Sequence, residues 1–368
     1  MLIYFITFFI LFTFSLIEIL QSGERGKKAM HIISFLVLVF VIGFRWETGT
    51  DWDIYLETFL HSFNYNSIAE FSEGMEVGYL MMNYLIRQIT EDYSIFLIIH
   101  AILFYGVVVK VFTKLVPYPQ IALLLFFCIN IGVTGSNRQL LAIAICLVGL
   151  LYLSVRQNKK FVISVIAATF FHTSAFVFFI YYFLNRNIKS LYLYISIIVS
   201  IGIGLTSLPN QLFSLFGFLG SFAESKTQAY ELVAQDSLAE FELSLLGLLK
   251  RLIFVIVFIM YRKKITLKVP LYNLFLNSYI VGVIFYFLFS NSFIIMVNRG
   301  SLYFNLMESL LLSLLLVLFK RKIDKMVFTF FLLILSIFLF YQSIAPYPDL
   351  FDPYKGIFIN SYYHRLMH

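Results

Sequence analysis

Charge is scarce in this chain. Only 13% of its 368 residues are charged, against roughly 25% in ordinary soluble domains, while 61% are hydrophobic and 19% aromatic. With a mean hydropathy of +0.89, this excludes a soluble globular enzyme and points to an all-α, polytopic integral membrane protein. Cysteine is nearly absent. Cys128 and Cys146 lie inside apolar runs without CxxC or Cys/His spacing, which argues against a disulfide framework or a thiolate metal site and makes them packing residues. A single basic face is also missing. The net charge is +7, but the cations sit in short clusters between apolar runs, so they read as topology signals and imply no nucleic-acid partner. No internal repeat, soluble domain or low-complexity tail is visible, so the whole of 1–368 reads as one transmembrane domain. Leu2 to Leu20 lacks a basic leader and a small-residue cleavage site, and reads as a first spanning helix instead of a removable signal.

What is present is a series of apolar runs of spanning length, about 20 residues each. They fall at 1–20, 30–44, 94–112, 120–134, 138–155, 161–184, 188–208, 241–261, 271–290, 298–319 and 326–345. A bundle of about ten or eleven transmembrane helices follows. Clusters at Arg25/Lys27/Lys28, Lys110/Lys114, Arg156/Lys159/Lys160, Arg186/Lys189, Arg262/Lys263/Lys264/Lys268 and Lys320/Arg321/Lys322/Lys325 belong on the cytoplasmic side. The acidic connectors 45–93 and 209–240 then face outward. The run 161–184 has basic clusters at both ends, so it is either a re-entrant pair of half-helices or an ordinary crossing that breaks the charge rule once. In the re-entrant reading the apex is FFHTSA, Phe170 to Ala175, with Thr173 or Ser174 capping the second half. The segment VGYLMMNYLIRQITEDY after Glu76 reads as a short amphipathic helix on the outer surface, and FAESKTQAYELVAQDSLAEF within 209–240 as another.

The chain's densest run of carboxylates is Phe44 to Glu76. It holds Glu47, Asp51, Asp53, Glu57, Glu70, Glu73 and Glu76 against one cation, Arg45, and both tryptophans, Trp46 and Trp52. Such a stretch cannot lie in lipid and reads as an outer loop. Further ionisable groups fall in or at the edge of spanning helices, where charge is costly and commonly functional. Arg138 sits at an outer turn, His172 at the proposed apex, Lys250 and Arg251 about 14 Å below the outer end of their helix, and Arg299 at the start of another descending helix with Glu308 below it. Each has a structural reading as well. Arg45 and Arg299 serve equally as headgroup anchors, Lys250 and Arg251 as partners of Glu308 or Glu242, His172 as a packed core residue, and Glu18 as an interfacial group. Taken together, Arg45, Arg138, Lys250, Arg251 and Arg299 would suit a strongly anionic ligand, because guanidinium groups grip phosphate oxygens bidentately. Carboxylates and aromatics beside them suit sugar hydroxyls and ring faces. The pattern suggests group transfer from a lipid phosphate or diphosphate to a polar acceptor.

Five motifs in order, FRWETGTDWDIY, MEVGYLMMNYLI, GSNRQLLAIAI, AATFFHTSAFVFF and NRGSLYF, resemble the EpsG-like branch of the Wzy-type polysaccharide polymerases over about residues 40–310. The resemblance implies a GT-C-like membrane glycosyltransferase. Such an enzyme joins oligosaccharide repeat units carried on undecaprenyl diphosphate into capsule, exopolysaccharide or O-antigen chains, at the outer face of the bacterial inner membrane. It marks Arg45, Gly49, Asp51, Tyr55, Glu76, Gly78, Arg138, His172, Ser174, Arg299 and Tyr303; Lys250 and Arg251 are added from their depth. The expected catalytic set is Asp51, Glu76 and His172, one of which takes the acceptor proton. Arg45, Asp53, Tyr55, Arg138, Lys250, Arg251, Arg299 and Tyr303 are expected to bind diphosphate or sugar. The Asp51/Asp53 pair admits a metal reading, but two acids at i, i+2 are a weak ligand pattern and the cations can replace a metal, so no cofactor is expected. A chain-length regulator is a further possible partner. The alternatives are a single-sugar GT-C transferase, a membrane O-acyltransferase, and a lipid-linked oligosaccharide flippase. A flippase would call for a charge-lined path and a two-fold repeat, and neither is visible.

Overall fold

The computed structural model describes residues 1–21, 23–64, 75–209, 245–290 and 296–359, and its regular elements are all helical. Glu70, Glu73 and Glu242, and the helix expected within 209–240, lie outside the described residues. Helix contacts divide the chain into two compact units, Met1–Phe176 with Leu312–His368, and Val177–Leu311.

The first unit contains α1 (Leu2–Leu20), α2 (Glu24–Gly43), α3 (Trp52–His61), α4 (Val77–Arg87), α5 (Tyr93–Leu115), α6 (Pro119–Asn130), α7 (Asn137–Ser154) and α8 (Asn158–Thr169). It closes with the C-terminal helix Lys322–Ile344, which packs on α1 and α6. Of these, α1, α2, α5, α7 and the C-terminal helix are long and apolar enough to cross a membrane. Helix ends are specified by particular side chains. Asp92 caps α5 by accepting the Ser94 N–H at 2.8 Å. Pro119 opens α6, and the Gln120 N–H behind it donates to both carboxylate oxygens of Glu18, at 3.1 and 3.3 Å. Glu18 is therefore a buried helix cap and not the interfacial group its position suggested.

The second unit contains a tight turn continuing from Thr173 to Ile180, then α9 (Tyr181–Leu184), α10 (Ser190–Gly204), α11 (Leu245–Thr266), α12 (Tyr272–Phe289), α13 (Leu302–Asn305) and the start of α14 (Met307–Leu314). The C-terminal helix of the first unit is then α15. Here α12 is the central strut, apolar on all sides and packed on α10, α11 and α13. It is the sixth long apolar helix; α11 is longer but carries Lys250, Arg251 and Arg262 to Lys264.

Two of the apolar runs are broken: 298–319, expected to be continuous, and 161–184, for which a break is one of the two readings. The run 298–319 divides into a wide turn at Met296–Gly300, α13, α14 and a tight turn at Leu315–Leu318. The Ser301 hydroxyl donates to the Val297 carbonyl and Asn305 donates to the Ser301 hydroxyl at 2.9 Å, side-chain bonds that compete with the helical ladder. The run 161–184 stops at Thr169 and resumes at Thr173, at the FFHTSA sequence. The start of α4 satisfies both sides of that gap. The Gly78 N–H donates to the Phe170 carbonyl at 2.7 Å, and the Thr173 N–H donates to Glu76 Oε1 at 3.0 Å. Glu76 thus performs the capping expected of Thr173 or Ser174.

Candidate active site

The acidic stretch is not a plain loop, because α3 forms inside it and turns the DWD motif into the first turn of a helix. Asp51 is the residue before that helix and Asp53 lies within it. Gly49 makes this entry possible. Its φ is +109°, and a Cβ built on it would lie 2.4 Å from the Gly135 Cα, so two backbones touch where any side chain would separate them. The contact ties the Thr48–Asp51 turn to the turn that opens α7, which carries Arg138. Gly78 acts likewise at α4. A Cβ there would lie 2.7 Å from the Phe170 carbonyl oxygen, so its absence brings Glu76 up to the FFHTSA break.

The result is a connected group drawn from α3, α4, α7 and the break. Arg138 Nη1 donates to Glu76 Oε2 at 2.7 Å, and Arg138 Nε reaches the Tyr55 hydroxyl at 3.5 Å. The guanidinium carbon is 5.8 Å from the Tyr55 ring centroid. Tyr55 in turn donates to Asp51 Oδ2 at 3.5 Å. On the other side, Glu76 Oε1 accepts the Thr173 N–H and hydroxyl at 3.0 and 3.3 Å. The side chains of Arg138 and Glu76 are 15% and 7% exposed, enough to shield the pair from water without sealing it. Burial by itself would raise the Glu76 carboxyl. The charges of Arg138 and His172 and the Thr173 N–H outweigh it, and the carboxyl is held below its ordinary value. His172 Nδ1 lies 2.6 Å from the Ser174 hydroxyl and accepts the Ser174 N–H at 3.3 Å. In the neutral ring the proton therefore sits on Nε2.

Arg45 is a different case. It is 1% exposed, donates to the Ile42 carbonyl and to Asn137 Oδ1, both at 2.6 Å, and is enclosed among tyrosines. Removal from water lowers its guanidinium from the ordinary value, with Tyr93, Tyr105, Tyr354 and Tyr4 opposing. It braces the interior, its guanidinium held by main chain and by Asn137. Asp53 is exposed and lines a cavity with both tryptophans.

In the second unit, Lys250 pairs with Glu308 at 3.2 Å, both nearly enclosed. Arg251 stacks 3.8 Å from the centroid of the Tyr286 ring and donates to the Gly247 carbonyl at 3.0 Å. The Lys250–Glu308 pairing is the structural arrangement weighed from the sequence. Arg299 is half-buried in the wide turn before α13, and Tyr303 is fully buried, its carbonyl accepting the Tyr181 hydroxyl at 2.8 Å. Among the described residues, no cluster of three or more His, Cys, Asp or Glu side chains is arranged to hold a metal ion.

Sequence reasoning missed the C-terminal segment. Trp46 N–H donates to the Lys355 carbonyl at 2.9 Å and Ile357 N–H to the Phe44 carbonyl at 3.0 Å, a short antiparallel pairing that seats residues 355–357 against the segment leading into α3. Lys355 also pairs with Glu47 at 3.4 Å. Nothing local signals it, because the partners are some three hundred positions apart.

The model of one known family matches residues 28–355. The chain belongs to the EpsG family. This is a Wzy-like polysaccharide polymerase family, and the EpsG chain described here is accordingly a polysaccharide polymerase-like membrane protein. No curated protein and no solved structure matches it.

Proposed function

We propose that this EpsG-family chain polymerises oligosaccharide repeat units carried on undecaprenyl diphosphate, at the outer face of the bacterial inner membrane. The observation that carries the reading is the Arg138–Glu76–Thr173 connection, which gathers Asp51, Tyr55, Arg138 and His172 around one point. The outer face is supported by the cation clusters between the apolar runs, which under the positive-inside rule favour the cytoplasmic side and leave the acidic connector 45–93 outside.

The reaction is a displacement. The hydroxyl oxygen of the acceptor sugar bonds to the anomeric carbon of the growing chain, the bond from that carbon to the lipid diphosphate breaks, and the diphosphate leaves with the electron pair. Asp51 takes the proton. Glu76 is a poor base because its two oxygens are committed to Arg138 and Thr173 and its carboxyl is acidified. His172 accepts from Ser174 at Nδ1, which leaves Nε2 to shuttle a proton or orient the acceptor. Arg138 offers the leaving diphosphate its charge, and such preorganised stabilisation of a developing anion is commonly the largest catalytic contribution. Arg299, Lys250, Arg251 and Tyr303 carry the same proposed role toward diphosphate or sugar, each tested by its own substitution. The chemistry proposed needs no cofactor.

The test is chain extension in proteoliposomes, using purified protein and the producing cell's own lipid-diphosphate repeat unit, with and without chelator. A product ladder that survives chelation and disappears in Asp51→Asn and Arg299→Ala supports the proposal. Lipid transfer across the bilayer without a ladder overturns it.

A further inference from the structure

Beside the Arg138 group, and separated from it by the first turn of α3, lies a cavity of about 650 Å³ within the first unit. Its walls come from both ends of the chain. Trp46, Thr50, Trp52 and Asp53 supply one side; Tyr347 and Asp349, from the turn that follows α15, supply the other. Glu47 and Lys355 also line it, and as an ion pair they cancel each other. The remaining charges, Asp53 and Asp349, are both negative.

That lining selects by chemistry. A diphosphate would meet two carboxylates of its own sign and no uncommitted cation, so electrostatics turns it away. A neutral polyhydroxylated ring meets what it needs. Its hydroxyls donate charge-assisted hydrogen bonds to the carboxylates, and an apolar face can lie on the exposed Tyr347 ring, while Trp46 and Trp52, 5% and 8% exposed and packed on each other and on Tyr93, complete the lining. The volume falls within the range of about 300–1,000 Å³ of ordinary small-molecule sites. On a helix, residues two apart project to nearly opposite sides. Asp51 contacts the Tyr55 hydroxyl on the Arg138 side, while Asp53 lines the cavity. The DWD motif is thus divided, with Asp51 in the Arg138 group and Asp53 in the cavity. The C-terminal turn is held as the far wall by main-chain pairing of Trp46 with Lys355 and by the Tyr354 hydroxyl, which donates to the Val41 carbonyl at 2.8 Å.

We infer that this cavity, built from the DWD turn and the C-terminal Pro346–Lys355 segment, is the binding subsite for the uncharged saccharide end of the acceptor. The inference rests on the polymerase reading for the word acceptor, but the binding itself is testable alone.

The chain has two tryptophans, Trp46 and Trp52, and both line the cavity, so intrinsic fluorescence reports on it directly. Full-length protein in detergent is titrated with the free repeat-unit oligosaccharide released from the producing cell's polysaccharide, with inorganic pyrophosphate, and with ethanolamine. A saturable emission change with the oligosaccharide alone is expected. Asp53→Asn and Asp349→Asn each weaken it roughly tenfold, as loss of a charge-assisted hydrogen bond does. Both positions are exposed, so these variants keep the packing of the parent. No saturable change, unaltered affinity in both variants, or an equal response to pyrophosphate or ethanolamine overturns the inference. Parallel proteoliposome assays separate the two readings. A ladder whose acceptor KM is unmoved by either variant leaves a polymerase without this subsite; saccharide binding without any ladder leaves the subsite and removes the polymerase.

Discussion

Breaking the Arg138–Glu76 pair tests whether the site is held together as described. At 2.7 Å the Coulomb attraction is on the order of 6 kcal/mol at an effective dielectric of about 20, much of it offset by the cost of drying both groups. What remains visible on mutation is the asymmetry. Arg138→Ala strands a largely buried carboxylate and should cost about 3–5 kcal/mol. Glu76→Gln keeps an oxygen for the Thr173 N–H and should cost about 1.5–3 kcal/mol, the worth of a hydrogen bond to a charged group. Glu76→Ala also uncaps the break after Thr169, and should exceed Glu76→Gln. The double variant Arg138→Ala/Glu76→Gln leaves neither charge stranded and should recover about 2 kcal/mol relative to the sum of the two single losses. Thermal unfolding of detergent-purified protein reads this out, with Arg138→Ala lowering Tm by on the order of 10 °C. Strict additivity of the two single losses would refute the coupling, and with it the claim that this pair positions the break.

The same carboxylate gives a pH dependence. Because the folded protein holds Glu76 below its ordinary value, its ionisation stabilises the fold above about pH 4.5, and that contribution is lost as pH falls through the lower folded value; wild-type Tm should fall more steeply below about pH 5 than that of Glu76→Gln. Gly49→Ala forces a left-handed φ and a clash with Gly135 and should cost at least about 2 kcal/mol, whereas Gly202→Ala in α10, with open space around it, should be neutral or stabilising; thermal melts compare them. If Lys250 and Glu308 are purely structural, Lys250→Met/Glu308→Gln restores both folding and chain extension lost in Lys250→Met, while restored folding without extension assigns Lys250 to the substrate. A cysteine at Asn187, which Arg262 holds at 2.8 Å beside the basic end of α11, should be labelled from the cytoplasmic side if 161–184 is re-entrant, and labelling from outside refutes that topology.

The membrane class, the apolar runs and the family were legible in linear order, because hydropathy and short motifs are local properties of a chain. So was the break at FFHTSA, one of the two readings of 161–184. Arg45 looked equivalent to Arg138 in the sequence, since a cation at a helix end carries no mark of whether it turns inward or outward. Tertiary packing separated them. Asn137 and the Ile42 carbonyl draw Arg45 into the interior, while Glu76 and Tyr55 hold Arg138 at the site.

Glycine shows the same division. Gly49 and Gly78 were identifiable as marked positions, but their reason lies in Gly135 and Phe170, backbones that approach them only in the folded chain. The splitting of Asp51 from Asp53 needed α3 to form inside a stretch that its composition presents as a loop. The C-terminal wall of the cavity needed residues 355 and 46 to meet. Sequence by itself determined which residues dislike lipid and which runs are apolar enough to enter it, because transfer energy is set residue by residue. Which of those polar residues share a site was decided by the fold alone, because pairing depends on distances that chain order does not contain.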